Sequence, residues 1–235
     1  MQDMERTPRS LGVIPARGGS KRLPRKNVLS VGGKPLIAHT IEAALQAKNL
    51  TDFLVTTEDD EILKVAQDFG APTPFKRSPH LSGDNVRNNE TIEHALLFME
   101  EKTGERYDIV VLLQPTVPIR SGEHIDQAVK LLWESDLPAL ASVKGPFKKR
   151  DPVLKRLRDN VLEPYRDESE GDSREAFYIY NASIYAIKRD YFLREKKFVS
   201  DKQVPLIMDE YHSADIDTES DVLVVEAFMK HLGRL

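Results

Sequence analysis

The order of apolar segments along the chain is the strongest constraint on its fold. Short apolar runs alternate with longer stretches that carry apolar residues at helical spacing. Strands that alternate with helices imply a parallel sheet covered by helices on both faces. We predict strands at 11–15, 52–57, 107–113, 138–143 and 177–187, and helices at 35–47, 58–69, 89–103, 121–134 and 218–232. The pattern therefore predicts an α/β core, with a βαβ series over residues 10–143.

Residues 144–176 interrupt this pattern. They mix basic and acidic clusters and have few periodic apolar positions, which favours a projecting arm, an irregular insertion or a subunit contact. A chain of 235 residues is within the size range of one large domain. We therefore predict a single domain over 1–235 with an inserted arm at about 144–180.

Composition excludes several classes of function. The net charge of −4 is not the basic footprint of a dedicated nucleic-acid binder, although a basic stretch at 144–158 leaves an RNA-binding module as a weak alternative. The absence of cysteine excludes disulfides, thiolate metal sites and a cysteine nucleophile. No apolar run reaches the ~18–20 residues of a membrane-spanning helix, and residues 1–6 carry acids where a signal peptide carries bases. We expect a cytoplasmic protein that binds neither nucleic acid nor membrane.

The first predicted strand is followed by a loop rich in glycine and basic residues, at 16–27. Glycines let backbone N–H groups approach an anion, and the arginines and lysines neutralise its charge. The spacing matches neither a Walker A loop nor a GxGxxG turn. A solvated basic loop is the alternative, but ligands of α/β sheets bind at the carboxyl ends of strands, where this loop lies. The loop therefore predicts a phosphate site.

Two further segments carry candidate side chains. Gln114 follows the most apolar run directly and offers an amide to a sugar or base, and Arg120 offers a charge to an anion; an ordinary proline turn is the simpler alternative. Asp215 and Asp217 project to the same side if their segment is extended, and such a pair suits Mg²⁺ together with substrate phosphates. Thr218 and the acids after it predict a helix N-cap.

These three segments together resemble the acylneuraminate cytidylyltransferases, which are also called CMP-sialic acid synthetases. The resemblance rests on Arg17-Gly18-Gly19-Ser20-Lys21 running to Lys26-Asn27, on Gln114-Pro115-Thr116-x-Pro118-x-Arg120, and on Asp215-Ile216-Asp217-Thr218. It extends over residues 11–226. It implies a three-layer nucleotidyltransferase sandwich with a mainly parallel sheet and a small dimerisation arm. It also implies a homodimer, Mg²⁺, and transfer of CMP from CTP to the anomeric hydroxyl of an acidic nine-carbon 2-keto sugar, with release of pyrophosphate.

The resemblance implies a role for individual residues as well. The implied catalytic side chains are Arg17, Lys21 and Lys26, with Lys26 nearest the transferred phosphorus. The implied nucleotide contacts are Ala16, Arg17, Gly18, Ser20, Asn27, Arg77 and Asn88. The implied sugar contacts are Gln114, Lys155, Arg174, Asn181 and Tyr185. The implied metal ligands are Asp215 and Asp217.

One departure from the family pattern concerns the sugar. Sialic acid-specific members carry arginines shortly before the family asparagine, here Asn181, whereas this chain has residues 175–180 without arginine and Arg174 as the nearest guanidinium. The substrate is then sialic acid gripped from a shifted position, or a related acid such as legionaminic or pseudaminic acid. A 3-deoxy-manno-octulosonate cytidylyltransferase and a non-catalytic nucleotide-binding regulator are the remaining alternatives.

Overall fold

A six-stranded sheet forms the centre of the molecule. The computed structural model describes residues 6–20, 22–82, 88–148, 155–158, 161–164 and 176–235, with no side-chain description at 147–148, 155–158, 161–164 and 176. The strands are β1 (Ser10–Pro15), β2 (Ser30–Val31), β3 (Lys34–Pro35), β4 (Asp52–Thr56), β5 (Ile109–Leu113), β6 (Ala139–Lys148), β7 (Lys155–Arg158), β8 (Val161–Pro164), β9 (Ala176–Lys188) and β10 (Val204–Ile207). The large sheet has the order β10-β6-β9-β5-β1-β4, and β2-β3 and β7-β8 are separate two-stranded pairs.

Five strands of the large sheet run in one direction and β9 runs against them. β1 is parallel to β4 and β5, and β10 is parallel to β6, whereas β9 is antiparallel to both β5 and β6. The helices are α1 (Leu36–Gln46), α2 (Asp60–Asp68), α3 (Asn88–Thr103), α4 (Gly122–Trp133), α5 (Arg189–Glu195) and α6 (Glu219–His231). The predicted α/β class with a mainly parallel sheet is confirmed.

Helices cover both faces of the sheet, because alternate strand residues point to opposite sides. In β5, Val111 packs in a cluster with α1, α2 and α4, and its neighbour Leu112 packs in a second cluster with α3 and α5. All five residues of β5 are buried, as its continuous apolar sequence predicts for a central strand. The arrangement is the predicted three-layer sandwich.

The structure differs from the sequence predictions mainly after residue 138. β6 extends to Lys148, five residues beyond its predicted end, because it pairs with β9 as far as Lys148 and Ala176. The short elements α5, β10, β2 and β3 were not predicted, since segments of two to seven residues carry too little periodicity to distinguish them from loops. Within the predicted arm, β7 and β8 pair antiparallel.

The topology places the candidate loops at one edge of the sheet. From β1 the chain moves to β4 on one side and then to β5 on the other, so the strand order reverses at β1, and such a reversal opens a crevice at the carboxyl ends of the strands. A third apolar cluster lies beside this edge and joins Leu23, Ile119, Ile216 and Val225. It brings the basic loop, the Gln114 loop, the Asp215–Asp217 segment and α6 together.

Within the described residues, no helix combines the length and the apolar character needed to cross a bilayer.

Candidate active site

Hydrogen bonds from buried side chains hold the backbone of the basic loop after β1 in place. Asn27 is buried, and its Nδ2 donates to the Arg17 carbonyl at 2.9 Å. Arg77 is also buried, and its guanidinium donates to the Ala16 carbonyl at 3.3 Å. Arg17 itself is exposed at the top of the loop, and Ser20 is half-buried. Asn27 and Arg77, which were predicted as nucleotide contacts, here hold the loop backbone in place.

Two acidic residues, Glu58 and Asp59, also hold this loop in place. Neither was predicted as a site residue. Glu58 accepts from the Gly18 N–H at 2.8 Å and pairs with Arg77. Burial alone would raise the pKa of Glu58, but the hydrogen bonds from Arg77 and Gly18 outweigh it and hold the pKa below its ordinary value. One feature of the sequence could have indicated this role: Glu58 follows β4, and β4 is the strand beside β1.

Asp59 connects the loop to the start of α2. Its Oδ1 accepts from the backbone N–H groups of Glu61 and Ile62 at 3.0 Å each, which caps the helix. The same carboxylate accepts two hydrogen bonds from Arg25, at 2.5 and 3.0 Å. The Arg25 guanidinium lowers the pKa of Asp59 to about 2. A Cβ on Gly18 would lie 2.4 Å from Asp59 Oδ2, so the loop passes this carboxylate at a distance that only glycine permits.

The basic loop meets the Asp215–Asp217 segment directly, although 191 residues separate the partners. Lys26 Nζ donates to the Ile216 carbonyl at 2.9 Å and to Asp217 Oδ1 at 3.0 Å. Arg22 pairs with the other oxygen of Asp217 at 2.9 Å, and its side chain is 72% exposed. The structure therefore brings the predicted phosphate-binding and metal-binding segments together.

Asp215 and Asp217 flank a buried isoleucine. Ile216 is fully buried and its N–H donates to the Thr116 carbonyl at 2.8 Å, so the segment lies against the Gln114 loop. The placement of the two carboxylates on one side stays a prediction. The next residue, Thr218, forms a capping box with Asp221 at the start of α6, which confirms the predicted N-cap.

The two carboxylates differ in their surroundings. Burial raises the pKa of the Asp215 carboxyl group, the charge of Asp217 adds to this, and a hydrogen bond from Thr116 opposes it. A divalent cation relieves the repulsion between such carboxylates, and hard cations prefer oxygen ligands. Among the described residues, no group of three His, Cys, Asp or Glu side chains is arranged to hold a metal. The pair fits a cation that takes its other ligands from water and substrate.

The loop from Gln114 to Arg120 is stabilised by its own arginine. Arg120 is almost completely buried and donates to the Val117 carbonyl at 2.9 Å and to the Gln114 carbonyl. Burial lowers the pKa of Arg120 to about 9. Arg120 thus supports the loop from within instead of presenting its charge to an anion, which corresponds to the proline-turn alternative. Gln114 is half-buried at the carboxyl end of β5.

Asn181 lies at an irregularity between β6 and β9. The register shifts between Ala141 and Val143, and Ala182 has a φ of 57°. The amide of buried Asn181 donates to Ser213 Oγ at 2.8 Å and accepts from Ser142 Oγ at 2.5 Å. Asn181 therefore connects the two strands to the segment that leads into Asp215.

An open cavity of about 460 Å³ lies beside these residues. Its lining includes Lys144, Ile179, Asn181, Glu210, Asp215 and Phe228. Cavities of ~300–1,000 Å³ commonly hold small ligands. Tyr185 lies nearby: its ring centroid is 6.1 Å from that of Tyr180, which also lines the cavity, and burial raises its pKa.

Other predicted site residues are placed elsewhere or lie outside the described residues. Lys21 and Arg174 lie outside, and Lys155 is described only as part of the β7 backbone. Asn88 is exposed at the first residue of α3. The residues that the structure brings together at the sheet edge are Ala16, Arg17, Gly18, Lys26, Asn27, Arg77, Asp215 and Asp217. Their proposed contacts with ligands stay predictions.

Comparison with known proteins agrees with this geometry. Residues 11–225 match the family described as "Cytidylyltransferase". The CMP-N,N'-diacetyllegionaminic acid synthase of Legionella pneumophila is 36% identical over 227 residues, which cover 94% of this chain and 97% of that protein. The N-acylneuraminate cytidylyltransferase of Escherichia coli O18:K1:H7 is 32% identical over 90% of this chain and 50% of that protein.

A solved structure supports the fold. CMP:2-keto-3-deoxy-manno-octonic acid synthetase complexed with CTP superposes with a TM-score of 0.69 over 95% of this chain and 99% of that chain, at 19% identity. That likeness shows the fold alone, whereas the family match extends from β1 through the Asp215–Asp217 segment into α6. The chain therefore belongs to the cytidylyltransferase family and is a nucleotidyltransferase.

Proposed function

We propose that this protein transfers CMP from CTP to the anomeric hydroxyl of an acidic nine-carbon 2-keto sugar and releases pyrophosphate. The observation that carries the proposal is the contact of Lys26 with Asp217, two residues after Asp215, which lines the cavity. The basic loop, which suits a triphosphate, thereby lies next to a cavity that suits a sugar. The names of the relatives in Legionella and Escherichia coli support an acidic sugar of the sialic acid type.

In the proposed reaction the sugar hydroxyl attacks the α-phosphorus of CTP in line. A bond forms from the anomeric oxygen to phosphorus, the bond to the β-phosphate oxygen breaks, and the hydroxyl proton is released. Such a transfer mainly requires positioning and charge stabilisation. The loop backbone beyond Gly18, whose own N–H donates to Glu58, orients the phosphates, and Arg17, Lys21 and Lys26 neutralise their charge. No side-chain nucleophile is needed.

Asp215 and Asp217 are the side chains that we assign to Mg²⁺. When bound, the ion would supply charge neutralisation at the phosphate oxygens. Asp217 would then release Lys26 and Arg22 and contact the ion instead, so that both basic side chains become available to the substrate. Burial leaves the charge of Asp215 poorly compensated and raises its pKa, and a bound cation would relieve this.

We further propose a homodimer. Half-exposed apolar side chains occupy consecutive positions 177–180 at the start of β9, with 37% to 52% of each residue exposed. Because side chains alternate along a strand, these residues expose apolar groups on both faces of β9, and clustered exposed apolar groups are typical of an interaction site. Light scattering of the purified protein should give twice the chain mass of 26.7 kDa, and a monomer mass at micromolar concentration would refute this part of the proposal.

The test of the activity is pyrophosphate release with Mg²⁺, each of four nucleoside triphosphates, and a panel of acids. The panel contains N-acetylneuraminic, legionaminic, pseudaminic and 3-deoxy-manno-octulosonic acids. We expect release with CTP and one of the nine-carbon acids. Release with the eight-carbon acid alone favours the octulosonate alternative, and CTP binding without any turnover favours a regulator. Asp217→Ala serves as the inactive control.

A further inference from the structure

We propose that Lys144 binds the carboxylate of the acidic sugar. This inference rests on the proposed function. Lys144 lies on β6 and pairs in register with Ile179 of β9, so both side chains leave the same face of the sheet. Both line the cavity beside Asp215.

The chemistry of the substrate restricts where its carboxylate lies. In a 2-keto acid sugar the carboxylate is attached to the anomeric carbon, which also bears the attacking hydroxyl. A sugar whose hydroxyl faces the α-phosphate near Asp215 must therefore place its carboxylate at the same end of the cavity. Glu210 lines the same cavity and is not one of the carboxylates that we assign to Mg²⁺, so a basic side chain is needed there to offset its repulsion of the incoming carboxylate.

Among the described residues, Lys144 is the one basic residue that lines this cavity. It is half-buried, and within the described residues it has no hydrogen bond or ion pair. Neighbouring cations are assigned elsewhere: Lys26 pairs with Asp217 and is proposed to move from it to the phosphates, and Arg120 is buried beneath the Gln114 loop. An unpaired ammonium in a concave site is available to a ligand at little rearrangement cost.

The test separates a carboxylate contact from a structural effect. In Lys144→Gln, the KM for the preferred sugar should rise about 10- to 100-fold, as loss of a charged hydrogen bond predicts, while the KM for CTP stays within about twofold. Lys144→Arg keeps the charge and should restore most of the sugar affinity. Lys64→Gln, an exposed lysine on α2, is the matched control and should resemble the wild type.

A neutral substrate analogue makes the test specific. The carboxamide of the sugar, used as a competitive inhibitor, should bind wild-type protein about tenfold or more weakly than the acid, and Lys144→Gln should bind acid and carboxamide equally. Equal binding of the two compounds by wild-type protein overturns the inference without recourse to any variant. So does an unchanged sugar KM in an active, folded Lys144→Gln protein.

The failure of the inference is distinguishable from failure of the proposed function. If wild-type protein releases no pyrophosphate with CTP and any acid of the panel, the proposed function is wrong and the Lys144 assignment is wrong with it. If the wild type is active and the carboxylate comparison shows no role for Lys144, the cytidylyltransferase activity stands and the Lys144 assignment alone is overturned.

Discussion

The two sides of the candidate site differ in how their charges are compensated. On the basic loop, Arg25 is paired with Asp59, Arg77 with Glu58, and Lys26 with Asp217. In the cavity, Lys144 and Glu210 have no ion-pair partner within the described residues. These three loop pairs thus form without a ligand, whereas the cavity presents charges that a ligand would satisfy.

This difference separates catalysis from specificity. Groups that need little rearrangement stabilise developing charge most effectively, and we expect the held loop backbone to act on a triphosphate in this way once Asp217 releases Lys26 and Arg22. Uncompensated charges discriminate among sugars, because a substrate lacking the complementary group leaves them unpaired. We expect substitutions on the loop side to affect stability and turnover with any sugar, and substitutions in the cavity to affect the choice of sugar.

The largest effect is expected at the junction of the two sides. Asp215→Asn removes one carboxylate charge and keeps the side-chain size, so the protein should remain folded while kcat falls about a thousandfold. The measurement is pyrophosphate release at saturating CTP, sugar and Mg²⁺. Glu134→Gln, on the distant end of α4, controls for the loss of one negative charge. Turnover of Asp215→Asn within threefold of wild type would remove the metal assignment.

Asn181→Ala tests whether the cavity side also has a structural component. The substitution leaves the buried hydroxyls of Ser142 and Ser213 without their amide partner, and unsatisfied buried polar groups cost ~1–3 kcal/mol each. We expect the free energy of unfolding to fall by about 3 kcal/mol in urea titrations. A decrease below about 0.5 kcal/mol would show that Asn181 is free for the sugar and does not hold the strands.

Gly18→Ala tests how tightly the loop is fastened. The new methyl group would lie 2.4 Å from Asp59 Oδ2, and that carboxylate is fixed by the α2 cap and by Arg25. We expect a loss of about 2 kcal/mol in stability, which is typical of overpacking, together with a higher KM for CTP. Gly19→Ala meets no atom within 4 Å and should leave stability unchanged. Equal unfolding curves for the two variants would contradict the fastened loop.

The smallest effect concerns pH and the Arg25–Asp59 pair. The pKa of Asp59 is about 2 in the folded protein against 3.8 ordinarily, so its ionised form stabilises the fold above about pH 4 and this contribution is lost as the pH falls toward 2. Asp59→Asn keeps a helix cap and removes the ion pair, which should cost about 1 kcal/mol at pH 7, because the Arg25 side chain is 42% exposed and water screens the pair.

The pH dependence of that variant is the decisive measurement. Urea unfolding of wild type and Asp59→Asn between pH 7 and pH 2 should give two curves that converge on acidification, since Asp59 loses its charge and Arg25 its partner. Curves that remain parallel over this range would show that the Arg25 pair contributes nothing to the loop.

Much of the architecture was predictable from local sequence. Hydrophobic periodicity predicted α1 to α4 and α6 within two residues at each end, and the continuous apolar run of β5 predicted its burial. The capping residue Thr218 was predicted because cap chemistry depends on a few neighbouring residues. Three short motifs also identified the segments that converge at the sheet edge, since ligand loops of α/β sheets follow the carboxyl ends of strands.

Only the tertiary structure decided how the charges within those segments are used. In the folded protein, Arg120 donates to carbonyls of its own loop and Arg77 pairs with Glu58, and neither partner could be predicted from the sequence. The contact of Lys26 with Asp217 and the entry of Lys144 into the cavity depend on packing and on a register shift between β6 and β9. The amino-acid sequence determined the periodic elements and the motifs, because these follow from local spacing. Only folding decided which residue each charged side chain pairs with, because the two partners are far apart in the chain.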